Sequence, residues 1–374
     1  MVVDNSSSFL NLPLRDGVPE ASRPVIVEVL CRVQHPPLGL YNLSSGSTSH
    51  LESHCALFFA NGGYYPRQCD IIGGLINDDN LRASVRTHGD IVRIAQLLQQ
   101  PLSRDQVREA MANFLATPYS SESDSESITP EKGHDMAINL VARLMLMMRI
   151  GNVEHECIGG RQLLEWEGGG SLQKFVHQHF SKPARRSHER IRLEKQFNAL
   201  NLHRIAGIEI RWTDNLADHL LMMNDDKTVA IFRHASFLEL QRHNDMYPAG
   251  LIDETIRTLS LLFPRDDGPT RRWYRNVCTE HKGRHDPHLA TTGILDAESR
   301  DFDNFPYWHD RLVVLKSVYD EARPANLRQW WYDDRNPVEW YTFWTAVMVL
   351  ILTMLFGLIQ CVEGGLQVWK AWNP

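Results

Sequence analysis

The sequence predicts a mainly α protein with a small β element, an α+β soluble domain followed by one C-terminal transmembrane helix. Three observations carry that reading. Tyr341–Val362, YTFWTAVMVLILTMLFGLIQCV, contains no charged residue. Apolar residues recur with a helical period at Ile252, Ile256, Leu259 and Phe263, and again at Leu312, Leu315, Tyr319 and Ala322. Ile208, Ile210 and Trp212 alternate as strand residues do.

The bulk composition fits a globular domain. The chain has 374 residues, 43% hydrophobic and 23% charged, enough for one large or two moderate cores. A net charge of -7 argues against a whole-protein role in coating nucleic acid. The six cysteines are scattered without a CxxC pair, and one lies inside the apolar C-terminal run. That pattern reads as a reducing compartment rather than a disulfide framework. MVVDNSSSFLNLPLRDG holds no apolar run of signal-peptide length, and the sequons at Asn5 and Asn42 would be silent in a cytosolic chain.

In chain order, residues 1 to about 75 read as irregular to mixed. PVIVEVLCRV (24–33) alternates like a strand, and a Gly/Pro/Ser-rich loop follows. Residues 88–116 read as two helices split by Pro101, the second opened by a Ser103/Gln106 capping box. A plain helical hairpin fits this pair better than a helix-turn-helix reader, because the second helix has as many acids as bases. SSESDSES (120–127) cannot bury apolar surface and reads as a linker, its acidic serines resembling kinase substrates. MAINLVARLMLMMRI (136–150) is apolar on nearly every face but too short and too charged to span a bilayer, so it reads as a central core helix with packing methionines. TVAIF (228–232) is a second strand, with a short helix around 215–223 before it, and Pro264 and Pro324 stop the two periodic helices. The expected division is a mixed N-terminal region at 1–117, an acidic Ser-rich linker at 118–134, a helical core domain with short strands at 135–335, the transmembrane helix at 340–362 and a short translocated tail at 363–374.

At 1.5 Å per residue, Tyr341–Val362 forms a helix of roughly 33 Å, against a hydrocarbon core of about 30 Å. A helix satisfies its own backbone in lipid, whereas an isolated strand does not. Trp340, Tyr341 and Trp344 at one end, with Trp369 and Trp372 beyond the other, match the aromatic preference for the headgroup layer. Arg323, Arg328 and Arg335 precede the span and only Lys370 follows it, so the positive-inside rule puts the large N-terminal part in the cytosol. A span that leaves the ribosome last implies a tail anchor. The absence of a basic cluster after it favours the endoplasmic reticulum or later secretory membranes over mitochondria.

Residue patterns that carry chemistry are sparse. Cys278, His281, His285 and His288 have the sharpest metal-like spacing, with one thiolate and three imidazoles available to zinc. Ligand pairs from separated segments are lacking and Pro287 breaks a helix here, so a solvated polar loop is the reading and no metal is assigned. His177 and His179 lie roughly 200° apart on a helix and cannot share an ion. EGGGSLQKFV (167–176) lacks the Lys and Ser/Thr of a P-loop and reads as a turn with Ser171 capping a helix. Asp214, Asp218, His219, Asp225 and Asp226 cluster around the two strands; paired carboxylates can do acid/base work, but capping the helix and building a turn is the preferred reading. Lys182, Arg185, Arg186, Arg190, Arg192 and Lys195 form a basic segment that is either a solvated helix face or a contact for anionic lipid. No GxSxG, HExxH or dinucleotide fingerprint occurs, and no cofactor is implied.

Three stretches together, GRQLLEW…GSLQKFV (160–176), IAGIEIRWTDNLADHLLMMNDDKTVAIFRHASFLE (205–239) and WYTFWTAVMVLILTMLFGLIQCVEGGLQVWKAW (340–372), resemble a group of filamentous ascomycete proteins of uncharacterised activity. Members share a helical soluble region and a C-terminal hydrophobic segment, and the resemblance covers roughly 136–372. It implies a fungal accessory membrane protein, with a secondary-metabolite gene cluster as its setting. The expectation is therefore a non-enzymatic, tail-anchored interaction or accessory module facing the cytosol. Its partners would be membrane lipid and an unidentified protein, with no nucleic acid. The alternative is a membrane-associated enzyme of fungal secondary metabolism.

Overall fold

The computed structural model describes residues 9–14, 16–32, 45–75, 85–113, 130–151, 164–167, 169–181, 192–281, 284–322 and 337–372, with the backbone alone at 9, 45–48, 71–75, 130–132, 337 and 339. The fold class is α+β, with a small sheet among many helices and one long apolar C-terminal helix.

The first six helices form the helical layer: α1 (Arg23–Cys31), α2 (Ser45–Phe58), α3 (Tyr64–Leu75), α4 (His88–Leu98), α5 (Arg104–Ala112) and α6 (Pro130–Leu146). Helix α6 is the hub, packing against α1, α3, α4 and α5. From Ala137 to Met148 only Asn139 is not fully buried, as an all-round apolar helix requires. Arg143 survives inside it because its guanidinium donates to the Ile150 carbonyl at 3.0 Å. The capping box at Ser103 and Gln106 is present, and Thr87 and Asp90 form a second one at the start of α4.

The N-terminal reading needs correction. The stretch 24–33 is helix α1 and not a strand, and α2 and α3 occupy much of what reads as loop. Pro24 sits in the first turn, where a proline ring fits a helix. The buried set Ile26, Val27, Leu30 and Cys31 follows i, i+1, i+4, i+5, a helical face. Nearly every residue there is apolar, so alternation could not separate the two periods. Residues 114–129, with the acidic serine run, lie outside the described residues. On either side of them, residues from Val18 to Met111 and from Ala137 to Tyr319 belong to one hydrophobic cluster.

The second half continues with α7 (Leu172–His179), α8 (Ala199–Arg204), β1 (Glu209–Thr213), β2 (Met222–Met223), β3 (Thr228–Phe232), α9 (Ala235–Gln241), α10 (Leu251–Leu262), α11 (Gly268–Glu280) and α12 (His309–Glu321). Ser171 caps α7 as expected, accepting from the Lys174 amide. The sheet order is β1-β3-β2, with β1 parallel to β3 from the Glu209–Thr228 pair to the Thr213–Phe232 pair, and β2 antiparallel to β3. Every residue of the central strand β3 is buried. Asn224, Asp225 and Asp226 turn β2 into β3 with left-handed backbone angles, which short polar side chains tolerate. The last helix, α13 (Pro337–Trp372), carries an apolar stretch, Trp340–Trp372, whose most apolar 18-residue window has mean hydropathy 2.4 and is not buried against protein. It is the single described helix long and apolar enough to cross a membrane, and it continues past Val362 through the stretch expected to be a short tail.

Candidate active site

Parallel strands expose their carboxyl ends on one edge of a sheet, the edge where α/β folds place their sites. Here β1 ends into Asp214 and β3 ends into Arg233 and His234. The register that pairs Thr213 with Phe232 brings these ends side by side. Asp214 is their meeting point. Its Oδ1 accepts from Arg233 Nε at 2.6 Å and from His234 Nε2 at 2.7 Å, and its Oδ2 accepts from Arg67 Nη2 of α3 at 2.5 Å.

Burial alone would push the Asp214 carboxyl up. The His234 hydrogen bond and charge, followed by Arg233, outweigh it and hold the group well below the usual carboxylate range. An ionised carboxylate only accepts, so Nε2 of His234 donates that hydrogen bond, which leaves Nδ1 as the other ring nitrogen. That Nδ1 is buried and has no hydrogen-bond partner among the described residues. His54 of α2 stands edge-on to His234, ring centroids 6.5 Å apart, and His285 is packed on Trp212 at 4.9 Å. Both are buried with unpartnered ring nitrogens. Desolvation pulls His54 down to about 3, with His234 adding to the effect. Desolvation, then the Arg233 charge, pulls His285 to about 4. Both are therefore neutral at pH 7. The arrangement orients an imidazole on a carboxylate that Arg67 and Arg233 help to keep charged.

Other members of the expected acidic cluster separate. Asp218 is buried beside the Arg311 charge. His219 is fully buried, with Nδ1 accepting from the Phe232 amide at 3.2 Å and Nε2 donating to Thr258 Oγ1 at 2.7 Å. Both its ring nitrogens are used structurally. Asp225 and Asp226 are exposed in the hairpin turn.

Of the four side chains with metal-like spacing, His281 and His285 meet edge to face with ring centroids 4.9 Å apart, but the set does not converge on one point. Cys278 sits half-buried on α11, one turn after Tyr274, and burial raises its thiol pKa. His281 caps that helix, with Nδ1 at 2.9 Å from the Val277 carbonyl. His285 turns inward to Trp212, and His288 lies 3.0 Å from Ser53 Oγ and against the His50 ring. Among the described residues, no group of three or more His, Cys, Asp or Glu side chains is placed to hold a metal ion.

Of the basic segment, Lys182, Arg185, Arg186 and Arg190 lie outside the described residues. Arg192 pairs with Asp301 at 3.1 Å, and Lys195 is exposed. Trp340, Tyr341, Trp344, Trp369 and Trp372 all lie on α13.

Sequence reasoning found Asp214 but missed His234, Arg233, Arg67 and His54. The local signal was slight: a basic pair directly after a strand whose neighbour ends in an acid. Comparison with known proteins returns no match, whether to a family model, a curated protein or a solved structure.

Proposed function

We propose that this chain is a tail-anchored membrane protein whose folded domain faces the cytosol and recruits or senses a partner at the endoplasmic reticulum or a later secretory membrane. The observation that carries the reading is α13. Its apolar window is uncovered by protein, so lipid is the solvent that suits it. Arginines before the span and a single lysine after it support the cytosolic orientation. The test is fractionation and localisation of a tagged full chain beside a chain lacking 337–374. The full chain resists alkaline carbonate, the truncated one becomes soluble, and a glycosylation tag after Trp372 is modified. Release of the full chain by carbonate sinks the proposal, and an unmodified tag reverses the orientation.

A second reading is a membrane-associated acid/base enzyme of fungal secondary metabolism. It is favoured by the His234–Asp214 pair, whose protonated Nε2 faces the carboxylate and whose Nδ1 has no partner among the described residues. Deletion of the gene alters the metabolite profile under this reading, and His234→Asn fails to restore it. An unchanged profile after deletion rules the reading out.

A further inference from the structure

Away from Asp214, a cleft of about 310 Å³ opens between α8, α10 and α11. Its size is at the small end of the range for ligand sites, too small for a dinucleotide. Two walls of opposite charge line it. Lys195 and Arg204, from the run into α8, and Arg300, from a separate segment, form one; Asp266 and Asp267, from the α10–α11 connection, form the other. Glu194, on the cationic side, lies 4.0 Å from Lys316.

The pairing inside the cleft is incomplete in a particular way. Asp267 is committed to the first turn of α11, accepting from the Thr270 amide and hydroxyl. Arg204 donates to Asn201 Oδ1 at 2.9 Å. Asn198 Oδ1 accepts the Asn201 amide, and Ser260 Oγ donates to the Ile256 carbonyl, so these two neutral side chains are committed within the fold. Among the described residues, the side chains of Lys195, Asp266 and Arg300 have no hydrogen-bond or ion-pair partner, and the Arg300 Nε is shielded from solvent without an acceptor. A buried guanidinium N–H without an acceptor is an expensive arrangement unless something supplies one. The Arg300 backbone is fixed, because its carbonyl accepts the Leu193 amide at 2.9 Å. Lys195 follows two residues after that contact. The free cations and the free carboxylate thus line one cleft without meeting.

The geometry points to a binding site for a small zwitterion, with an oxyanion held by Arg300 and Lys195 and an ammonium held by Asp266. The three cations and the acids Glu194, Asp266 and Asp267 balance, so a purely anionic ligand gains little there, whereas a dipolar one meets both walls. The site is independent of membrane attachment and of the Asp214 network. A free amino-alcohol phosphate and the headgroup of an aminophospholipid share this chemistry.

Full-length chain in a non-ionic detergent is titrated calorimetrically with phosphoethanolamine, γ-aminobutyrate, inorganic phosphate and ethanolamine. At least one of the two zwitterions binds saturably, and each single-charge fragment binds at least tenfold more weakly. Arg300→Gln and Asp266→Asn each weaken the zwitterion at least tenfold. Lys195→Gln, at an exposed position that leaves the fold untouched, weakens it severalfold. Competition by a short-chain phosphatidylethanolamine assigns the lipid headgroup as the source, and its failure assigns a free metabolite. Absence of saturable binding by both zwitterions, equal binding of inorganic phosphate alone, or insensitivity to Lys195→Gln and Asp266→Asn overturns the proposal.

Discussion

Two buried histidines show how little residue type says about role. His219 is consumed at both nitrogens by Phe232 and Thr258. His54, equally buried among Phe58 and Phe237, has an Nδ1 with no partner. Replacing His219 with Phe strands a buried amide and hydroxyl, and a loss of about 2–4 kcal/mol is expected in denaturant titration. Replacing His54 with Phe removes a desolvated polar group, so unfolding shifts by less than about 1 kcal/mol, in the stabilising direction if at all. Equal losses for the two variants would contradict this account.

The same groups set a pH dependence. Burial lowers His54 and His219 to about 3 and His285 to about 4 from 6.5. Below pH 6.5 the unfolded chain takes up protons that the folded chain refuses. The stability is therefore fully present above that pH and is lost as pH falls toward 4 and 3. Between pH 7 and pH 5 each group accounts for about 2 kcal/mol. Chemical denaturation at those two pH values measures it, and a flat profile would mean that these rings are hydrated. His54→Phe removes one share of the slope.

At the scale of elements, α6 and the turn after it are the place to test packing. Gly151 has φ +75, and a Cβ there would lie 2.1 Å from Asn139 Nδ2, on a side chain that Arg104 holds through Oδ1 at 2.9 Å. Gly151→Ala combines left-handed strain with a clash, and a loss of about 2 kcal/mol or more is expected by thermal melting. Ser103→Ala, which removes one arm of an exposed capping box, loses about 1 kcal/mol. A reversed ranking would refute the packing argument. These elements also mark what was legible. Helices α4, α5, α10 and α12 and strands β1 and β3 are readable because a stop signal bounds a single clear period. Helix α1 was misread because its β-branched run fits both periods and only burial against α2, α4 and α6 decides. Helix α11 was hidden by its polar composition, since just Thr270 and Tyr274 are fully buried on it.

For the whole molecule, α13 makes its own prediction. Its apolar window buries nothing against the domain, so removing 337–374 should leave the melting temperature of the remainder within about 2 °C while abolishing membrane retention. A large drop would show that the helix belongs to the core. The apolar helix was determined by sequence alone, because a run of side chains without charge selects lipid over water whatever else the chain does. The Asp214 network and the charged cleft were decided only by tertiary structure. Arg67 and Asp214 are separated by 147 positions, and Lys195 and Asp266 reach one cleft from different elements. Local patterns report the period of a helix or strand. Convergence depends on which ends the packing brings together, and no local pattern encodes that.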